Sequence, residues 1–386
     1  MSGWQHAALP VRAPLEAYQA HAAQLLEAFR RGDPAARDFV HRHLPRFLDP
    51  VVTWKPRELA EGELEQAVLD EADARLAIAR GYSFRDWDAL AALVAAVQTP
   101  GSPVRAFELA AEAVIDGDVD GLRAMLAAEP SLARARSTRV CCFDPPVHRA
   151  TLLHYLAANG VEGHRQRSPR NAVDVARLLL DAGAEPDALA SMYGGAYATM
   201  SLLVSSSHPA EAGVQIPLVD ALLAAGASVD GAGDRTWGCN LRTALAFGFV
   251  DAAQALVARG ARVDRVDLAA GLGRTDDVRR LLPASSADDR HAALSLAAQL
   301  GHAETVRVLL DAGEDPDRYN PASLHPHSTP LHQAAVGGHL DVVRALVLHG
   351  ARLDPRDRLW NGTPLGWARH GEQADVVAYL VSVGAP

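Results

Sequence analysis

Residues 329–354 read TPLHQAAVGGHLDVVRALVLHGARLD, and the physics of this stretch decides the fold. Thr329 caps a helix, and Pro330 takes the first helical position, where its missing N–H costs nothing. Leu331, Ala334 and Ala335 then share one face, with side chains small enough to let a neighbouring helix approach closely. Gly337 and Gly338 end that helix. Val342, Val343, Leu346 and Val347 make the apolar face of a second, and Gly350 supplies the positive-φ stop that helix ends favour. Each helix is shorter than the roughly 12–15 residues at which an isolated helix becomes marginal, so both need stacked neighbours.

Copies of this unit run along the chain. Residues 107–130 give helix, an Asp-Gly-Asp turn at 116–118, and helix. Residues 152–187 repeat it as LLHYLAANG and VARLLLDAGAEPD, residues 200–230 end LLAAGASVD, and residues 243–264 end LVARGARVD. A shortened copy at 268–282 follows, then 292–317 ending LLDAGEDPD, and 363–385 closes with TPLGWARHG and VVAYLVSVGA. TPLHQAAVGGHLDVV, GTPLGWARHG and the recurring L-L-x-x-G-A-x-x-D resemble the ankyrin repeat, whose period is roughly 33 residues. The resemblance implies an all-α ankyrin-repeat solenoid of about eight helix-turn-helix units, with fingers and inner helices lining a concave face. It also implies a binding surface more than an enzyme, because function on such scaffolds is set by local sites.

Residues 15–97 lack the repeat. Residues 15–30 predict an amphipathic helix, Asp33 and Pro34 start another, and residues 63–80 predict a third carrying Leu64, Ala67, Leu69, Leu76 and Ile78. The segment ADARLAIARGYSFRDWDALAALV, residues 72–94, resembles a helical module that precedes ankyrin arrays in many bacterial proteins, with Phe84, Trp87 and Leu90 spaced to pack one side of a helix. The predicted organisation is an N-terminal helical capping domain at 1–97, a Pro- and Gly-marked linker at 98–103, and the repeat domain at 104–386.

Composition supports stacked helices. The chain has 386 residues, 49% of them hydrophobic and only 5% aromatic, because alanine and leucine carry the apolar content. A net charge of −10 argues against a nucleic-acid partner. No long uncharged apolar run appears and the opening residues lack a signal-peptide core, so no membrane partner is expected. Cys141, Cys142 and Cys239 form no metal-type pattern and point to a reducing, cytoplasmic location.

Departures from the plain repeat carry the functional reading. Repeat two inserts VEGHRQRSPRNAVD, residues 161–174, where residues 337–339 need only a tight turn. Repeat three has the altered finger ASMYGGAYATM and a second insert, SSSHPAEAGVQIP, residues 205–217, and the finger before repeat two is VCCFDPPVHR. Adjacent units touch, so these groups could converge. The expected binding residues are His154, Tyr155, Asn159, Arg165, Tyr193, Tyr197, Gln215, Trp237 and Trp360, recognising a protein or a small-molecule ligand on the concave face. His154 occupies the place of His332, where family histidines bond neighbouring loops, and Asn159 is also a fitting helix cap. The alternative is a cofactor-independent cyclase, isomerase or hydrolase in which His164, Glu162 and His208 act as general acid and base in a pocket under the inserts. His148, His154, His164, His208, Glu162 and the cysteine pair match no standard zinc spacing, so neither metal nor cofactor is expected. Ser205–Ser207 beside His208 lack the strand-turn-helix setting of an activated serine.

Overall fold

A computed structural model describes residues 4–158, 161–192, 194–233, 239–322 and 324–386. The chain is an all-α repeat solenoid whose contacts cluster into two compact units, Met1–Ala227 and Ser228–Pro386. No helix among the described residues is long and apolar enough to cross a membrane.

The first unit opens with α1 (Leu15–Arg30), α2 (Pro34–His43), α3 (Glu63–Gln66), α4 (Glu71–Gly81) and α5 (Trp87–Gln98). These helices share a core of their own, in which Leu25, Val40, Leu44, Ile78 and Leu90 are buried. Asp33 starts α2 as expected, its carboxylate accepting from Ala35 and Ala36 N–H. The single helix expected over 63–80 is broken in two. Asp70 and Asp73 form a reciprocal capping box that starts α4, so the chain between the helices turns Leu69 inward and leaves Val68 exposed. Phe84 likewise lies outside α5, because Asp86 caps that helix at Ala89 N–H. It bridges Cys141 instead, with Arg85 N–H donating to Val140 O at 3.2 Å and Cys142 N–H to Ser83 O at 3.0 Å.

Three helix pairs complete this unit. They are α6 (Pro103–Asp116) with α7 (Val119–Ala128), α8 (Leu152–Leu156) with α9 (Ala172–Asp181), and α10 (Thr199–Leu203) with α12 (Gln215–Ala224), the short α11 (Ser207–Glu211) filling the insert of repeat three. Inner helices α6, α8 and α10 touch in order, outer helices α7, α9 and α12 do the same, and α5 packs on α6. The altered finger is an antiparallel hairpin, β1 (Leu189–Met192) against β2 (Gly195–Ala198), with Leu189 opposite Ala198.

The described residues of the second unit form five plainer pairs: α13 (Asn240–Ala246) with α14 (Val250–Ala258), α15 (Val266–Gly271) with α16 (Thr275–Leu281), α17 (Ala287–Gln299) with α18 (Ala303–Asp311), α19 (Pro330–Val336) with α20 (Leu340–Leu348), and α21 (Pro364–His370) with α22 (Ala374–Ser382). Alanine and leucine from successive pairs, such as Ala297, Leu309, Ala334 and Leu346, make one continuous core. Thr329 caps α19, its N–H and hydroxyl meeting His332 Nδ1 at 3.3 and 2.9 Å. His332 Nε2 then donates to Gly362 O in the next finger at 3.1 Å.

Candidate functional site

The insert of repeat two folds inward. Its first residues form a 3₁₀ turn, Gly163–Arg165, which carries Glu162, His164 and Arg165 against α6, α8 and the 139–148 segment. Arg165 is buried and meets three carboxylates: Nε donates to Glu112 Oε1 at 2.8 Å, Nη1 to Glu162 Oε2 at 3.0 Å, and Nη2 lies 2.7 Å from Glu108 Oε2. Tyr155, also buried, donates its hydroxyl to Glu162 Oε1 at 2.8 Å. Arg139 completes the group, with Nη2 3.4 Å from Glu108 Oε2, Nε 3.6 Å from Glu162 Oε2, and its guanidinium 4.5 Å over the Phe84 ring. Glu108 and Glu162 are thus matched by Arg139 and Arg165. Buried charges persist only when paired in this way.

The electrostatics follow from that pairing. Burial pushes the Glu162 carboxyl up, but Arg139, Arg165 and His164 outweigh it and hold its pKa down to about 2. Burial pulls Arg165 down, yet Glu108 and Glu162 leave it well above its ordinary value. Tyr155 is raised by burial and by the same two carboxylates. His164 is driven well below the ordinary histidine range, first by burial and then by Arg139 and Arg165, so its ring is neutral. Glu162 therefore stays charged near neutral pH and serves to hold Arg165 and Tyr155, while His164 presents a neutral imidazole beside them.

Beside this cluster lies a cavity of about 290 Å³. Its polar wall is His164, Arg139, Arg165 and Glu112, and its apolar wall includes Leu9, Val11 and Leu93. The strap of residues 8–11 closes one side, fixed where Leu9 N–H donates to the Tyr82 hydroxyl at 2.8 Å. The Tyr82 ring meets His164 edge-on at 5.2 Å, and the buried His164 Nδ1 has no hydrogen-bond partner among the described residues.

Of the residues expected from sequence, the structure brings together Tyr155, Glu162, His164 and Arg165. The others stand apart. His154 is fully buried, with Nδ1 meeting Thr151 and Nε2 donating to Tyr197 O at 3.1 Å, the arrangement of His332. Tyr197 is buried on β2, and the Gln215 amide donates to Leu203 O at 2.9 Å and Ser206 O at 3.3 Å, closing the insert of repeat three. His208 is half-buried on α11 and does not line the cavity. Trp360 is 55% exposed in the second unit, beside His327 and Trp367. Asn159, Tyr193 and Trp237 lie outside the described residues. Among the described residues, no three His, Cys, Asp or Glu side chains are grouped to hold a metal ion.

The sequence reading missed Glu108, Glu112, Arg139 and Tyr82. A signal existed for one of them. Glu108 falls between Phe107 and Ala111 on the apolar stripe of α6, and a charge on such a stripe needs a buried partner. Arg139 and Tyr82 come from irregular segments with no periodicity to expose them.

Residues 294–386 match a family described as ankyrin repeats (3 copies). This part of the chain carries ankyrin repeats. A curated relative, the E3 ubiquitin-protein ligase XB3 of Oryza sativa subsp. japonica, is 35% identical over 102 residues, covering 24% of this chain and 18% of that protein. The match thus spans less than a fifth of the relative's length. Ankyrin repeats in general are protein-interaction modules.

Proposed function

We propose that this chain is a binding protein whose ligand is a small molecule, held on the inner-helix, concave side of the first two repeats. Specificity comes from the inserted segments, chiefly residues 161–166. The observation that carries this reading is the partly open cavity of about 290 Å³, walled on one side by Arg139 and Arg165 of the buried, charge-matched network and on the other by the 8–11 strap. A plain repeat would have no use for four buried charges, and the size lies near the lower end of small-ligand pockets, roughly 300–1,000 Å³. In this reading residues 1–97 are a capping domain that also walls the pocket, 98–103 a linker and 104–386 the repeat domain.

Native mass spectrometry of the gently purified full chain, followed by thermal shift with whatever is released, tests it. The ligand should raise the Tm, by about 2.7 kcal/mol of stability at a hundredfold excess over Kd. Val11→Trp, which fills the cavity without touching the network, should abolish both the bound mass and the shift. Unchanged binding in that variant would place the ligand elsewhere.

A second reading, cofactor-free catalysis in the same cavity, is favoured by one observation: the neutral His164 ring, whose buried Nδ1 has no hydrogen-bond partner among the described residues. It requires that His164→Gln bind the released molecule as the parent does while losing its turnover. A molecule recovered unaltered after long incubation with the parent protein would remove this reading.

A further inference from the structure

A second pocket stands back to back with the first. The same two segments wall both: Tyr82, Phe84, His164 and Arg165 face one, and Gly81, Ser83, Gly163 and Gln166 face the other. The second pocket has a volume of about 540 Å³, and its charged lining is Arg42 and Arg80, with no carboxylate. In a chain of net charge −10 that is an unusual surrounding. Several other partly buried arginines of this unit find carboxylates, as Arg37 does at Glu65, Arg57 at Glu63, and Arg139 and Arg165 in the network, while Arg105 donates to Val97 O. Arg80 is half-buried at the end of α4. Among the described residues it makes no ion pair and no side-chain hydrogen bond. Arg42 is exposed and donates Nε to Asp38 Oδ1 at 2.9 Å, and its terminal nitrogens meet no acceptor among the described residues. A partly desolvated guanidinium without a counter-charge is a fork that matches carboxylate or phosphate geometry.

The rest of the lining adds shape. Thr53, Ser83 and Gln166 supply neutral donors, and Leu48, Phe143 and Val161 supply an apolar floor. Trp54 is 57% exposed at the rim and offers a flat face. We propose that this pocket is a second binding site, taking a small oxyanion carried on a flat apolar body, with Arg80 and Arg42 on the oxyanion and Trp54 on the body.

Isothermal titration of the full chain at low ionic strength tests this, with benzoate, phenyl phosphate, inorganic phosphate and benzylamine as probes. At least one aromatic anion should bind, and the tighter of benzoate and phenyl phosphate identifies the oxyanion. Arg80→Gln should weaken that binding roughly tenfold or more, as loss of a charge-assisted hydrogen bond does. Trp54→Ala should weaken the aromatic anions and leave inorganic phosphate unchanged. Val11→Trp should change nothing, which separates this pocket from the first. Equal binding to parent and Arg80→Gln, benzylamine binding as well as benzoate, or no heat from either aromatic anion at millimolar concentration with a native circular-dichroism spectrum would each overturn the site. Among the described residues Arg80 makes no ion pair or side-chain hydrogen bond that its substitution would break, so the variant should fold as the parent does.

Discussion

The repeat at 329–354 and the repeat at 151–187 begin alike and end differently. Each starts with a threonine whose N–H and hydroxyl meet a histidine three residues on, and each histidine donates to the next finger, His332 to Gly362 O and His154 to Tyr197 O. After the inner helix they part. The plain repeat turns at once, and His339 Nε2 reaches back to Gln299 O at 3.0 Å. Repeat two instead sends residues 161–166 into the interior, where Glu162 and Arg165 join Glu108 and Arg139. The shared motif builds the stack, and the unshared insert builds the pocket.

The difference is tested most severely at Arg165. Arg165→Met leaves Glu108 and Glu162 buried against Arg139 alone, and removing one partner of such a group costs about 3–5 kcal/mol. Urea unfolding should show that loss, while Arg352→Ala, whose pair with Asp354 lies in solvent in the plain repeat, should be indistinguishable from the parent. A small effect at Arg165 would mean that the network is hydrated and the pocket open.

Acid tests the buried histidines next, and both repeats carry them, since burial also holds His332 and His339 below the ordinary histidine range. The histidines His154 and His6 are each held down to about 4, chiefly by burial, from an ordinary 6.5. A depressed folded-state pKa gives stability that is complete above 6.5 and is lost as pH falls from 6.5 toward 4, on the order of 1–2 kcal/mol per group by pH 5. His164 acts in the same direction. Glu162 contributes later, losing its share only as pH falls below about 4.5 toward 2. The pocket's ligand should therefore dissociate, and near-UV ellipticity decline, between pH 6.5 and 4. A flat stability profile over that window would show that these rings are hydrated in solution.

Replacing the shared histidines tests the common half of the comparison. His154→Ala and His332→Ala each remove a buried side chain that spans two repeats, and each should cost about 1–3 kcal/mol, with closely similar values. If His154→Ala instead kept its stability and lost ligand binding, the first histidine would belong to the pocket rather than the stack.

Legibility followed the same division. The stack was readable because its signals are local: Thr-Pro starts, alanine faces and glycine stops recur at a fixed period. Asp33 and Leu15–Arg30 were legible for the same reason. The helix expected over 63–80 failed because apolar spacing ran through a capping box at Asp70, and caps outrank propensity where they are formed. In the site, the insert itself announced Glu162, His164 and Arg165 by departing from the repeat. Their partners did not, since Arg139 and Tyr82 lie 23 or more residues away in irregular segments and only the tertiary fold pairs them.

The smallest effect separates a tight repeat turn from an open finger. Gly301 closes a plain repeat at φ +83°, and a Cβ there would lie 2.7 Å from His339 Nδ1, the ring that ties this turn to the next repeat. Gly194, in the hairpin of repeat three, has φ +75° and nothing within 4 Å of such a Cβ. Both substitutions by alanine carry the backbone penalty of the left-handed region, about 1–2 kcal/mol, but only Gly301→Ala must also displace an imidazole. Thermal unfolding should rank Gly301→Ala below Gly194→Ala. The reverse order would mean that the His339 contact yields freely, and that the regular repeats are held by their alanine faces without help from the histidine turns.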